Sequence, residues 1–162
     1  MQLTQRSATL ALLALQTMGT AVGVISLRAI DFDPLAQQAL LFGVPVFAGL
    51  TLAYWRGWEL ARYVNLAIVT LLVAGPLIDP TLDVAFSPVA LVPAALAVVM
   101  AETRWVIGVA VVILLALNIR GVAPYARPDN VTGYVMCVSC MVLGRMIADQ
   151  SRLAAEKHAR QA

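Results

Sequence analysis

The stretch SATLALLALQTMGTAVGVISL, Ser7–Leu27, runs for 21 residues without a charge. A helix needs about 20 mainly apolar residues to cross the hydrocarbon of a bilayer, so this run is long enough by itself. Arg6 precedes it as the basic end of a secretory signal does, but the apolar core of a signal peptide is only about 7 to 15 residues. An uncleaved first membrane helix is therefore expected. Working outward, charges divide the rest of the chain into five further apolar runs: Pro34–Trp55 (22 residues), Tyr63–Ile78 (16), Val84–Ala101 (18), Trp105–Ile119 (15) and Asn130–Gly144 (15). Arg62, Arg104, Arg120 and Arg145 bound the shorter runs, and an arginine stem lies along apolar surface while its guanidinium reaches the headgroups. The expected fold is all-α integral membrane: a six-transmembrane-helix bundle with spans at about 8–27, 35–55, 63–78, 84–101, 105–119 and 130–147. Residues 1–144 make the membrane domain, and 145–162 begin a cytoplasmic signalling or coiled-coil helix in which the last span continues.

Composition agrees. Of 162 residues, 61% are hydrophobic and 12% charged, against about 25% charged in soluble domains, and the mean hydropathy is +0.85. A water-soluble globule is excluded. A net charge of +2 leaves no basic patch for a nucleic acid and no charged tail to solvate. Placing the N-terminus in the cytoplasm puts eight of the eleven Lys and Arg on the inner side, as the positive-inside rule requires, and makes both termini cytoplasmic. Tyr54, Trp55, Trp58, Tyr63 and Trp105 then gather at the inner interface, where amphipathic rings anchor.

Ionisable side chains at membrane depth mark ion pathways and catalytic centres, and the six runs contain none. No catalytic residue, cofactor site or metal site is expected, and the chain is not read as an enzyme by itself. Gln16, Thr17, Thr20, Ser26, Gln37, Gln38, Thr51, Asn65, Thr70, Ser87, Asn118, Thr132 and Ser139 are expected to bond between helices. A polar ligand site at Gln16, Gln37 and Asn65 is the sharper alternative, and it belongs to a different function class, a small transporter or channel subunit. Cys137 and Cys140 form a CxxC, but inside an apolar helix, without His or carboxylate neighbours, they read as small hydrophobes. Pro88 is expected near the outer end of the fourth span, where it costs little, and Pro93 further in is expected to kink it.

Gly133, Cys137, Cys140 and Gly144 recur at i, i+4, i+7 and i+11, one narrow stripe of small residues on the last span. Small faces let membrane helices approach closely, so this stripe is the expected helix-packing or dimer seam, with Gly19 and Gly23 a second GxxxG. Beyond it, GRMIADQSRLAAEKHARQA (144–162) has no proline and is rich in helix formers. Arg145 with Asp149, Arg152 with Glu156 and Glu156 with Arg160 fall at i, i+4 on an expected exposed face. Met146, Ile147, Gln150, Leu153 and Ala154 form a weak apolar seam beside it.

Six short-looped spans, a sixth ending LGRMIADQ, a following helix SRLAAEKHARQA and the hairpin SPVALVPAALAVVMAETRWVIG (Ser87–Gly108) together resemble the N-terminal membrane sensor modules of bacterial signalling proteins. The likeness covers the chain in architecture, with weakly specific motifs. It implies a homodimer in the bacterial inner membrane whose last span drives a cytoplasmic output domain C-terminal to Ala162, such as a histidine kinase, a PAS domain or a diguanylate cyclase. Arg145, Met146 and Leu153 would lie on the signal-transmitting helix. No kinase His box, nucleotide-binding glycines or cyclase signature occurs in the chain, and His158 sits in the connector helix, so the resemblance implies an input half.

Overall fold

The computed structural model describes the backbone of residues 5–28, 34–78, 88–119 and 128–161, and side chains in these except 27–28, 34–37, 39–40, 88, 119, 128–130 and 156–161. The described residues are helical apart from short turns, with no strand among them. In chain order the helices are α1 (Gln5–Arg28), α2 (Pro34–Trp55), α3 (Ala61–Ile78), a single 3₁₀ turn (Pro88–Leu91), α4 (Val92–Met100), α5 (Thr103–Ile119) and α6 (Pro128–Gln161). Three segments are long and apolar enough to cross a membrane by length and composition: Gln5–Ser26, Ala61–Ile78 and Val131–Ala155. The expected connections at 29–33, 79–83 and 120–127, and the fourth span before Pro88, lie outside the described residues.

The chain divides into two compact units, 1–67 and 68–162, with α3 running from the first into the second. In the first unit α1 packs along α2, and Leu13, Phe47, Leu50 and Tyr54 are buried. Tyr54 is thus a core residue at 2% exposure and not the interfacial anchor that its position among aromatics predicts. Its ring falls on the buried side of α2, one residue from exposed Trp55. Pro45 lies inside α2, where it removes the amide that would bond the Leu41 carbonyl. Helix α2 ends in a Schellman motif: the Trp58 amide donates to the Ala53 carbonyl and the Gly57 amide to Tyr54, both at 3.0 Å. This requires a left-handed residue, and Gly57 supplies it at φ 103°.

In the second unit α4, α5 and α6 pack on one another around a core that includes Ala74, Ala90, Ala94, Ala110, Ile113, Ala116, Tyr134 and Val138. The many alanines let helix backbones approach closely, which is how helices associate where lipid offers no hydrophobic contrast. Pro93 does not kink a continuous helix. It sits in the first turn of α4, directly after the 3₁₀ turn that begins at Pro88, a place where its missing amide has no intrahelical acceptor in any case.

Candidate functional site

Helix α4 ends at Met100 and α5 begins at Thr103, so the turn between them juxtaposes two helix ends of opposite polarity. The last carbonyls of α4 lack intrahelical donors, and the first amides of α5 lack acceptors. One carbonyl, that of Ala97, takes the Ala101 amide at 2.9 Å, and the Glu102 carbonyl accepts the Trp105 amide at 2.9 Å to start α5. Helix α6 reaches this turn with two side chains one turn apart. Arg145 donates from Nη1 to the Val98 carbonyl at 3.0 Å, which places a cation at the negative end of α4. Asp149 accepts from the Thr103 hydroxyl at 3.3 Å, which brings an anion to the positive end of α5. The two pair with each other, Arg145 Nε to Asp149 Oδ1 at 3.3 Å.

This arrangement corrects one sequence expectation. Arg145 and Asp149 look like a solvated i, i+4 pair, but the Arg145 side chain is only 11% exposed and Asp149 37%. They form a clamp by which α6 grips the α4–α5 turn. The Arg104–Glu102 pair in the same turn, at 2.8 Å, is the ordinary kind, with side chains 75% and 60% exposed, and such pairs contribute little.

Gly133, Cys137, Cys140 and Gly144 are all exposed, about a third of a turn around α6 from the buried stripe of Tyr134, Val138 and Arg145 at 100° per residue. Both cysteines are free thiols. No described atom lies within 4 Å of a Cβ built on Gly133, Gly144, Gly19 or Gly23, so none of these glycines serves a close approach among the described residues. On α2 a Cβ built on Gly43 would lie 3.4 Å from the Thr20 methyl of α1, an ordinary van der Waals contact. Met146, Ile147, Gln150, Leu153 and Ala154 are exposed along α6. The pairs involving Glu156, and His158, lie outside the described side chains.

The first unit joins two of the three residues named as a polar ligand site. Asn65, fully buried, donates from Nδ2 to Gln16 Oε1 at 3.0 Å, while its Oδ1 accepts no hydrogen bond among the described residues. The side chain of Gln37 lies outside the described residues. Thr17 and Thr51 meet across the helices with their hydroxyls 3.1 Å apart, and each also reaches a backbone carbonyl one turn back, Leu13 and Phe47. Two protons serve three acceptor positions, so one of these bonds is always open. No protein-family model, curated protein or solved structure matches the chain.

Proposed function

We propose that the chain is a six-span membrane input module of the bacterial inner membrane, with both ends cytoplasmic, that acts as a homodimer and relays changes in packing through α6 to an output domain at its cytoplasmic end. The observation that carries this reading is the Arg145–Asp149 clamp. Helix α6 is continuous over 34 residues, about 50 Å at 1.5 Å per residue, so whatever rotates or slides it at the clamp is felt at its far end. A clamp on one turn has two discrete states, gripped and released, and interface helices switch between such states. Its strength suits the task. A hydrogen bond from a charged donor contributes about 1.5–3 kcal/mol and a part-exposed ion pair about 0.2–1 kcal/mol. Couplings between distant sites are about 1–3 kcal/mol, so ligand or lipid forces of ordinary size suffice to open it. The exposed stripe Gly133, Cys137, Cys140, Gly144 offers a second α6 a face that the clamp does not use.

The test is a chimera in which residues 1–162 run in continuous helix into a histidine-kinase core. Arg145→Met is expected to change autophosphorylation several-fold in membranes, with a one-residue insertion after Ala162, which rotates the output by about 100°, as the control that the junction transmits. An unchanged output with a responsive control overturns the relay. The second reading, a small transporter or channel subunit, draws on the buried Gln16–Asn65 pair and its spare acceptor; solute flux into vesicles abolished by Asn65→Leu is the result that favours it.

A further inference from the structure

An open apolar groove of about 610 Å³ runs between α1 and α2 within the first unit, a volume typical of sites for small ligands. Leu10, Ala14 and Met18 line one wall, and Leu52 and Trp55 the other. Its polar atoms, the Thr17 and Thr51 hydroxyls, are engaged with each other and with their own helices. The groove therefore offers hydrocarbon contact and little to a polar guest. From Leu10 to Met18 it follows α1 for about 12 Å, most of the ~15 Å that one leaflet contributes to the hydrocarbon core.

One end of the groove is cationic. Arg6 donates from Nη2 to the Trp55 carbonyl at 3.4 Å, Arg56 is the next residue, and both side chains are exposed. Neither pairs with a carboxylate among the described residues, and Glu59, three residues after Arg56 in sequence, is engaged by Arg62 at 3.8 Å. The first turn of α1 holds no acid to offset its positive end. Trp55, 66% exposed, lines this end, and Trp58, 47% exposed, follows three residues on, as headgroup-level rings do. An apolar slot of leaflet depth, with a mouth whose two cations meet no carboxylate among the described residues, is complementary to an amphiphile with an anionic head.

We propose that the α1–α2 groove binds one anionic phospholipid of the surrounding bilayer, with an acyl chain beside Thr17 and Thr51 and the phosphate at Arg6 and Arg56. The site depends on membrane insertion and is independent of the relay through α6. Two arginines at the phosphate favour an anionic over a zwitterionic head by about 30-fold.

The full chain carrying Trp58→Phe and Trp105→Phe keeps Trp55 as its one tryptophan. In detergent micelles it is titrated with phosphatidylglycerol or phosphatidylcholine bearing brominated acyl chains, which quench a tryptophan in contact. Half-quenching of Trp55 at a tenfold or lower mole fraction of phosphatidylglycerol is the expected result. Arg6→Gln with Arg56→Gln should erase that preference while Trp55 stays quenchable. Equal half-quenching by both lipids overturns the proposal in favour of bulk lipid contact, and no quenching by either overturns it in favour of a protein segment in the groove. If the tryptophan variant loses its helical circular dichroism, native mass spectrometry of the unsubstituted chain from equimolar vesicles of the two lipids decides. Adducts of phosphatidylglycerol in excess support the site, and equal adducts overturn it.

Discussion

Replacing Arg145 by Met removes the clamp's cation while keeping its aliphatic bulk. The loss comprises the bond to the Val98 carbonyl at 3.0 Å, a charged donor on a neutral acceptor, about 1.5–3 kcal/mol. It also includes the pair with Asp149 at 3.3 Å, whose side chain is 37% exposed and which therefore contributes only about 0.2–1 kcal/mol. The sum is about 2–4 kcal/mol, concentrated on the turn at Ala101 and Glu102. Hydrogen exchange reads it locally, because amides in a segment exchange according to the free energy of its own opening. The amides of Ala101, Trp105 and Val106, whose bonds to Ala97 and Glu102 hold the turn, should exchange roughly 20- to 1000-fold faster in Arg145→Met. Arg145→Lys should fall between, since an ammonium on a flexible stem does not reproduce two contacts made by separate nitrogens of one planar guanidinium. Amides on α1 and α2 should not change. Exchange at the turn within about threefold of wild type would refute the assignment of this energy to Arg145.

Three further outcomes follow from the geometry. Gly57→Ala should lower the thermal midpoint in micelles by the equivalent of about 1–2 kcal/mol, a backbone effect alone since, its chain neighbours aside, no described atom lies within 4 Å of the added methyl, whereas Gly49→Ala, helical and equally uncrowded, should leave it unchanged or raise it. Thr51→Val should cost about 0.6 kcal/mol and Asn65→Leu more, about 1–3 kcal/mol, because it strands Gln16; chemical denaturation in micelles ranks them, and the reverse order contradicts the pairings. In native membranes, a thiol oxidant should join chains through Cys137 or Cys140; monomer alone after full oxidation would deny the α6 seam of the homodimer.

The all-helical class is legible because charges are rare and fall between apolar runs, and helix ends lie close to them: Arg28 closes α1, and Thr103 opens α5 beside Arg104. The clamp is not legible, for a physical reason. Arg145 and Asp149 share the spacing of any solvated helical pair, and the partner that distinguishes them, the Val98 carbonyl, is backbone and leaves no residue signature. Helix α2 continues through Pro45, within the single apolar run from Pro34 to Trp55. Gln16 and Asn65 are recognisable as intramembrane polar residues, but which one meets which depends on the packing of α1 against the start of α3. The burial of Tyr54 is illegible for a similar reason: interfacial sequence position says nothing about which side of a helix faces its neighbour.

The most direct test of the relay is a covalent clamp. Thr103→Cys with Asp149→Cys replaces side chains whose oxygens lie 3.3 Å apart, in a chimera with the kinase core that also carries Cys137→Ser and Cys140→Ser. Oxidation should hold α6 on the α4–α5 turn and move autophosphorylation in the direction opposite to Arg145→Met, with reductant reversing the change. The same output from oxidised and reduced protein, with the disulfide verified by mass, would show that α6 does not signal through this contact.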